Sequence, residues 1–249
     1  MTIEIHEAAG VRSLHFGSEW VQGAMRIARP WSLELEYTRE MMASLLLRSA
    51  GNWPRRALLI GLGAASLTKF LYRHRPRAKL TVVEIDSAVV AAAYQFFKLP
   101  DDPKRIHIVI DDGAEYIAGK KQCYDLILVD GFDANARPGQ LDTLPFYLNC
   151  KARLGAEGLM AVNMHSRRKD FRRSVECLEH AFDRRALVFP SCDSGNAIAF
   201  AAVGKPIQAT LPELQKIAAT MKSATGLNLF PTLVRLEQAA ICSKGCLEL

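Results

Sequence analysis

Ala57-Leu-Leu-Ile-Gly-Leu-Gly63 is the stretch from which the rest of this chain can be read. Its first four residues are apolar with no polar face, so the run predicts a short strand buried on both sides. Gly61-Leu62-Gly63 then passes through Ala64-Ala65-Ser66 into a helix whose apolar positions recur at Leu67, Phe70 and Leu71. Glycine at such a turn lets backbone N–H groups approach a ligand and lets strand and helix pack closely. A second apolar run, Leu80–Val83, delivers Glu84 about twenty residues later, the separation of a carboxylate that grips ribose hydroxyls. Together these features predict a nucleoside site on a doubly wound α/β sheet.

The alternation continues outward from there. Strands are predicted at 57–61, 80–84, 106–110, 124–129, 157–163, 185–189 and 196–203. Helices are predicted at 64–74, 87–97, 113–119, 143–153 and 167–182, with another after 211 and a helical tail interrupted near Gly226 and Pro231. Strands alternating with helices argue for a parallel sheet covered on both faces. Ala186–Phe189 and Ala197–Val203 are joined by Pro190–Asn196, too short for a crossover helix, so these two pair antiparallel. A seven-stranded, mostly parallel sheet with an antiparallel last strand is the pattern of the Rossmann-like class I methyltransferase fold. Upstream, Val11–Phe16 and Val21–Ile27 flank Gly17-Ser18-Glu19 and predict a small N-terminal β-hairpin. Leu33–Leu47 has the spacing of one helix with a broad apolar face. The chain thus divides into a hairpin region, residues 1–32, and a nucleoside-binding, methyltransferase-like domain, residues 33–249.

Composition sets the outer limits. With 249 residues, 49% hydrophobic and 23% charged, the chain has the make-up of an ordinary globular α/β protein. Its net charge of +6 is compatible with anionic partners without requiring one. No apolar run approaches the roughly 20 residues that span a bilayer, and the N-terminus lacks the basic-then-apolar layout of a signal peptide. Cys123, Cys150, Cys177, Cys192, Cys242 and Cys246 include no C-x-x-C pair, and Cys242 with Cys246 lacks nearby histidines. These are expected to be reduced thiols in a cytoplasmic protein, with no metal site.

In an open α/β sheet ligands sit at the carboxyl ends of the strands. Here those ends carry Gly61 and Gly63, then Glu84 and Asp86, then Asp111, Asp112 and Gly113, then Asp130, Gly131 and Asp133. An aspartate at a strand end also caps the next helix, and that is the expected role of Asp86 and Asp111. Glu84, Asp112 and Asp130 form the expected site. A sulfonium nucleoside suits it: Glu84 accepts from both ribose hydroxyls, Asp112 accepts from the adenine amine, and acids offset the sulfonium charge. A dinucleotide would instead bring a pyrophosphate, which an Asp-rich crevice disfavours.

The order of motifs is specific. Val82-Val-Glu-Ile-Asp-Ser-Ala-Val-Val90, Asp101-Asp-Pro-Lys-Arg-Ile-His-Ile-Val109, Asp112-Gly113, Tyr124-Asp-Leu-Ile-Leu-Val-Asp130 and Pro145-Phe-Tyr147 together resemble the spermidine synthase family, over roughly residues 33–165. The resemblance implies aminopropyl transfer from decarboxylated S-adenosylmethionine to putrescine or a related amine, releasing methylthioadenosine. By the same resemblance Glu84 holds the ribose, Asp112 the adenine amine, and Asp130 deprotonates the attacking amine. Asp133 either supports that amine or stabilises its own loop as an Asx turn. The implied partner is a small-molecule amine, with neither nucleic acid nor membrane, in an assembly such as a homodimer.

Three departures bear on the chemistry. The family's glycine-rich loop carries an aspartate that binds the aminopropyl amine; Ala64 stands there instead. Thr38 is expected where the family has a tyrosine, and Arg39 brings a positive charge that weakens putrescine binding if it faces the pocket. An S-adenosylmethionine-dependent methyltransferase on the same scaffold, or a non-catalytic nucleoside-binding protein, are the alternatives. Arg167-Arg-Lys-Asp-Phe-Arg-Arg173 is the densest basic cluster, either a solvated helix face or a phosphate-binding stripe pairing 168 with 172 and 169 with 173. His165, after the fifth sheet strand, is either structural or a base.

Overall fold

The computed structural model describes residues 2–49, 51–119, 121–192, 195–239 and 245–249. Cys242, and Asp193 and Ser194 of the loop between the last two sheet strands, lie outside them. β1 (Glu4–Ala8), β2 (Val11–His15) and β3 (Gly23–Arg26) form an antiparallel sheet in that order. Val11 stands opposite Ala8 on one side and Arg26 on the other. The predicted hairpin is β2–β3. β1 is an addition: Glu4-Ile-His-Glu-Ala8 is mostly exposed, so its pairing rests on backbone bonds and leaves no apolar alternation to read.

The single helix expected over 33–47 is two helices, α1 (Glu36–Met41) and α2 (Ser44–Leu47). Between them the Met42 and Ala43 N–H groups donate only three residues back, to Arg39 O at 3.1 Å and Glu40 O at 2.8 Å. That tightened turn re-aims the chain. Met41 to Leu47 are all buried, so no solvent-facing stripe holds a single helical phase.

The alternation then runs as the spacing predicts. In order come β4 (Arg56–Ile60), α3 (Ser66–His74), β5 (Lys79–Glu84), α4 (Ser87–Phe97), β6 (Ile106–Ile110), α5 (Gly113–Gly119) and β7 (Tyr124–Val129). After a 3₁₀ turn at Gly139–Asp142 follow α6 (Leu144–Ala152), β8 (Leu154–His165), α7 (Phe171–Ala181), β9 (Ala186–Val188) and β10 (Asn196–Ala202). The sheet order is β6-β5-β4-β7-β8-β10-β9. β4 to β8 run parallel, and β10 is antiparallel to both its neighbours. The last strand is therefore inserted between β8 and β9 rather than closing an edge. Alternate residues of β4 feed two cores: Ala57 and Leu59 pack with Phe70 and Phe97, whereas Leu58 and Ile60 pack with Ile117 and Phe146.

The tail differs from the helical expectation. β11 (Gln208–Thr210) precedes α8 (Leu211–Thr225) and α9 (Phe230–Gln238), and β12 (Cys246–Glu248) returns to pair antiparallel with β11. Three-residue strands are too short to show alternation. Among the described residues no helix is long and apolar enough to cross a membrane.

One buried charge of the core is testable. Lys69 of α3 is 2% exposed and donates to Phe97 O at 2.7 Å, closing the end of α4. Burial, with repulsion from Lys98, lowers its pKa to about 8. The unfolded chain therefore holds more protons between pH 8 and the ordinary lysine range, so this group adds stability as pH rises through that window. Urea unfolding of the native protein and of Lys69→Met is expected to diverge by about 2–3 kcal/mol between pH 7 and pH 10, the native protein gaining.

Candidate active site

β4 leads to β5 on one side and the chain later returns to β7 on the other, which opens a crevice at the carboxyl ends of these strands. A cavity of about 420 Å³ fills it. Gly61, Gly63, Glu84, Asp111, Asp112, Gly113, Asp130 and Asp133 all line that cavity; Asp86 does not. Asp86 caps α4 by accepting from Ala88 N–H at 2.8 Å, the role expected of it.

Glu84 is 8% exposed at the end of β5. Its Oε2 accepts from Leu62 N–H at 2.9 Å and its Oε1 from Asp86 N–H at 3.1 Å. Burial raises its pKa, and the backbone donors of Leu62, Asp86 and Ile85 oppose that rise. With three backbone donors on the four acceptor sites of the carboxylate, acceptor capacity is left for a ligand hydroxyl.

The glycine turn is built differently from the sequence expectation. Leu62 N–H is spent on Glu84 and Gly61 N–H on Val83 O at 2.9 Å, so these donors face protein rather than a ligand. Gly61 has φ +93°, and a Cβ there would stand 2.1 Å from Asp130 O. Its glycine is required by the close approach of the β4 and β7 ends. The N-terminal sheet lies directly on the loop: a Cβ on Gly23 would stand 2.7 Å from Ala64, and Ser66 Oγ donates to Ala24 O at 3.2 Å. Ala64 is 2% exposed beneath that cover, so the space where the loop acid would sit is filled by backbone.

Asp112 performs the capping that the strand-end pattern assigned to Asp111. Its Oδ1 accepts from Ala114 N–H at 2.7 Å and Glu115 N–H at 3.1 Å at the start of α5. Asp111 Oδ1 accepts from Asp112 N–H at 2.9 Å and steadies the turn. Gly113 lets α5 approach β4, since a Cβ would stand 2.4 Å from Ile60 Cγ2.

Asp130, after β7, is held from two sides. Its Oδ1 accepts from Asn163 Nδ2 at 3.0 Å and its Oδ2 from the Tyr37 hydroxyl at 3.1 Å. Burial raises its pKa, opposed by Asn163 and then by Tyr37. Asp133 is exposed on the cavity rim, where its Oδ1 accepts from Asn135 N–H at 2.8 Å and Arg137 N–H at 2.9 Å. That is the Asx-turn role, and it leaves Oδ2 outside the turn.

Tyr37 and Asn163 escaped the sequence reading. Tyr37, the residue before Thr38, presents a tyrosine hydroxyl to the cavity, whereas the Thr38 hydroxyl donates to Leu35 O at 2.6 Å. Asn163 carried a signal: a polar residue inside Leu159-Met-Ala-Val-Asn-Met164 of a buried strand needs a partner. It is 5% exposed, and its Oδ1 has no hydrogen-bond partner among the described residues. Arg39 does not face the cavity; its guanidinium donates to Leu33 O at 2.8 Å and Glu34 O at 2.6 Å. Its expected interference with an amine is removed.

His165 lines the same cavity beyond Asn163, edge-on to Trp20 with ring centres 6.1 Å apart. The basic stripe is not formed, because residues 167–170 are a turn and α7 starts at Phe171. Arg168 folds back onto Asp170 and Asp142, and Arg172 pairs with Glu176 at 3.0 Å.

Known proteins agree with this architecture. The solved structure of a probable spermidine synthase from Corynebacterium glutamicum superposes with a TM-score of 0.73 over 91% of each chain, at 18% identity. Human methyltransferase-like protein 13 in complex with SAH superposes with a TM-score of 0.69 at 25% identity, over 78% of this chain and 93% of that one. In sequence, a polyamine aminopropyltransferase of Neisseria meningitidis is 34% identical over 235 residues, 94% of this chain and 89% of the relative. The spermine/spermidine synthase domain matches residues 35–189, a span that contains Tyr37, Glu84, Asp112, Asp130 and Asn163. With the fold, the order of the strand-end acids and the sequence match in accord, the chain belongs to the spermine/spermidine synthase family.

Proposed function

We propose that this protein transfers an aminopropyl group from decarboxylated S-adenosylmethionine to a small amine such as putrescine, with Asp130 as the base. The observation that carries this reading is the setting of Asp130: a carboxylate on the cavity wall, its proton affinity raised by burial, held by Tyr37 and Asn163. An alkylammonium has no lone pair and must lose a proton before it attacks. Asp130 binds the ammonium, takes its proton, and leaves the amine nitrogen in line with the carbon next to sulfur. The new C–N bond forms as the C–S bond breaks, and its electron pair leaves on sulfur as neutral methylthioadenosine.

Each remaining residue has a part. Glu84 accepts from the ribose hydroxyls and Asp112 from the adenine amine, while Gly61, Gly63 and Gly113 keep the wall free of side chains. Asp133 Oδ2 offers a second acceptor to the cationic amine. Asn163 Oδ1, a buried acceptor beside Asp130, suits an N–H of the same group. Residues 1–32 act as a cover over the nucleoside loop of the 33–249 unit. Ala64 favours a second reading, methyl transfer from S-adenosylmethionine, since no acid stands in the loop to select a donor ammonium.

Calorimetric titration with decarboxylated S-adenosylmethionine, S-adenosylmethionine, methylthioadenosine and NAD separates these readings. Preference for the decarboxylated donor, with product formed from putrescine, is the expected result. Tighter binding of the carboxylated form would favour methyl transfer, and binding of NAD alone would overturn both. Glu84→Gln is expected to raise the nucleoside Kd about tenfold to a hundredfold, with kcat at saturation changed less.

A further inference from the structure

Tyr37 reaches Asp130 from a helix too short to fix its own orientation. α1 has six residues, and the backbone bonds that follow it reach only three residues back. A helix of that length is not stable alone, so its phase is set by tertiary contacts. One of these, a buried ion pair, reaches a helix far along the chain. Glu40, one turn after Tyr37, is 1% exposed. Its Oε2 accepts from the Thr232 hydroxyl at 3.2 Å and pairs with the Arg235 guanidinium, both on α9. A buried carboxylate that loses its cation is strongly penalised, so this pair resists any rotation of α1. Positions i and i+3 are neighbours on one helix face, so fixing Glu40 fixes Tyr37.

We propose that Glu40 is a positioning residue: held by Thr232 and Arg235 of the C-terminal helix α9, it sets the rotation of α1 and keeps the Tyr37 hydroxyl on Asp130. The inference rests on Asp130 being the base, and it makes α9, remote from the cavity, part of the machinery. The charged and titratable groups that share the cavity with Asp130 are Tyr37, Glu84, Asp111, Asp112, Asp133, Arg137 and His165. Of these, Tyr37 alone sits on α1.

The test is a double-mutant cycle on the full chain. Arg235→Gln is expected to lower kcat about fivefold to twentyfold with little change in the donor KM. The acid limb of kcat should move to higher pH, because Asp130 loses a donor that favours its charged form. Arg235→Lys should restore most of the rate. In a Tyr37→Phe background Arg235→Gln should add nothing further. Effects that multiply in the double variant, or an acid limb that stays in place, would overturn the proposal. If Arg235→Gln does not fold, Thr232→Val carries the same pattern at smaller amplitude. An NMR titration of the labelled Asp130 carboxylate reads the clamp without turnover: its midpoint should rise alike in Tyr37→Phe and Arg235→Gln, and an unmoved midpoint in the latter also overturns it. A native enzyme with no turnover on any amine, yet showing those midpoint shifts, would sink the aminopropyl reading and leave the clamp standing.

Discussion

Asp130→Asn is expected to lower kcat at least about a thousandfold while the nucleoside Kd stays within about twofold of the native value. The substituted amide keeps the size of the side chain. Its oxygen still accepts from Asn163 Nδ2, and the Tyr37 hydroxyl turns to accept from the new NH₂. What disappears is the only group of the three that can take a proton from an ammonium near neutral pH. Nucleoside binding survives because Glu84 and Asp112 stand on β5 and before α5, with hydrogen bonds independent of Asp130. Removing a charge that burial disfavours should leave the melting temperature equal or higher. Single-turnover kinetics and calorimetry on the same preparation check both halves. Retained turnover would show that the proton goes elsewhere.

Gly61→Ala is the largest expected loss of stability, about 3–4 kcal/mol in urea unfolding. The new methyl would stand 2.1 Å from Asp130 O and 2.8 Å from its carbonyl carbon, at φ +93°. Neither backbone can give way, because Gly61 N–H bonds Val83 O and Asp130 N–H bonds Ile60 O, both at 2.9 Å. Any protein that folds must shift Asp130, so kcat should fall as well. Gly51→Ala is the control: nothing lies within 4 Å of the added methyl, and a change within about 0.5 kcal/mol is expected. Equal effects at the two positions would refute the close-approach account.

Where sequence and structure differ, the reasons are specific. β1 leaves no mark in the sequence because an exposed strand of Glu, Ile, His, Glu and Ala is held by backbone pairing that side-chain periodicity does not report. The break between α1 and α2 is not legible in the sequence because a segment buried all round has no polar stripe to show a change of phase. Arg39 weakens amine binding only if it faces the pocket, which side-chain direction decides; its guanidinium turns back onto the carbonyls of Leu33 and Glu34. Asp112 rather than Asp111 caps α5 because only φ and ψ at the strand end decide which of two adjacent aspartates points at the helix N–H groups.

By itself the sequence determined the strand–helix alternation, the antiparallel last strand and the acids at the carboxyl ends of β5 and β7. These depend on local quantities, namely apolar runs, turn residues and spacing. The tertiary structure decided which atoms meet. Tyr37 lies 93 residues from Asp130, Asn163 lies 33 away, and Glu40 lies 195 from Arg235. Such contacts depend on strand register and on the rotation of a six-residue helix, and neither is set by the residues around it. The run Ala57–Gly63 shows both sides: its apolar strand and its glycines were readable as a turn, but the atom that forbids a side chain at Gly61 belongs to Asp130, on a strand the local sequence does not contain.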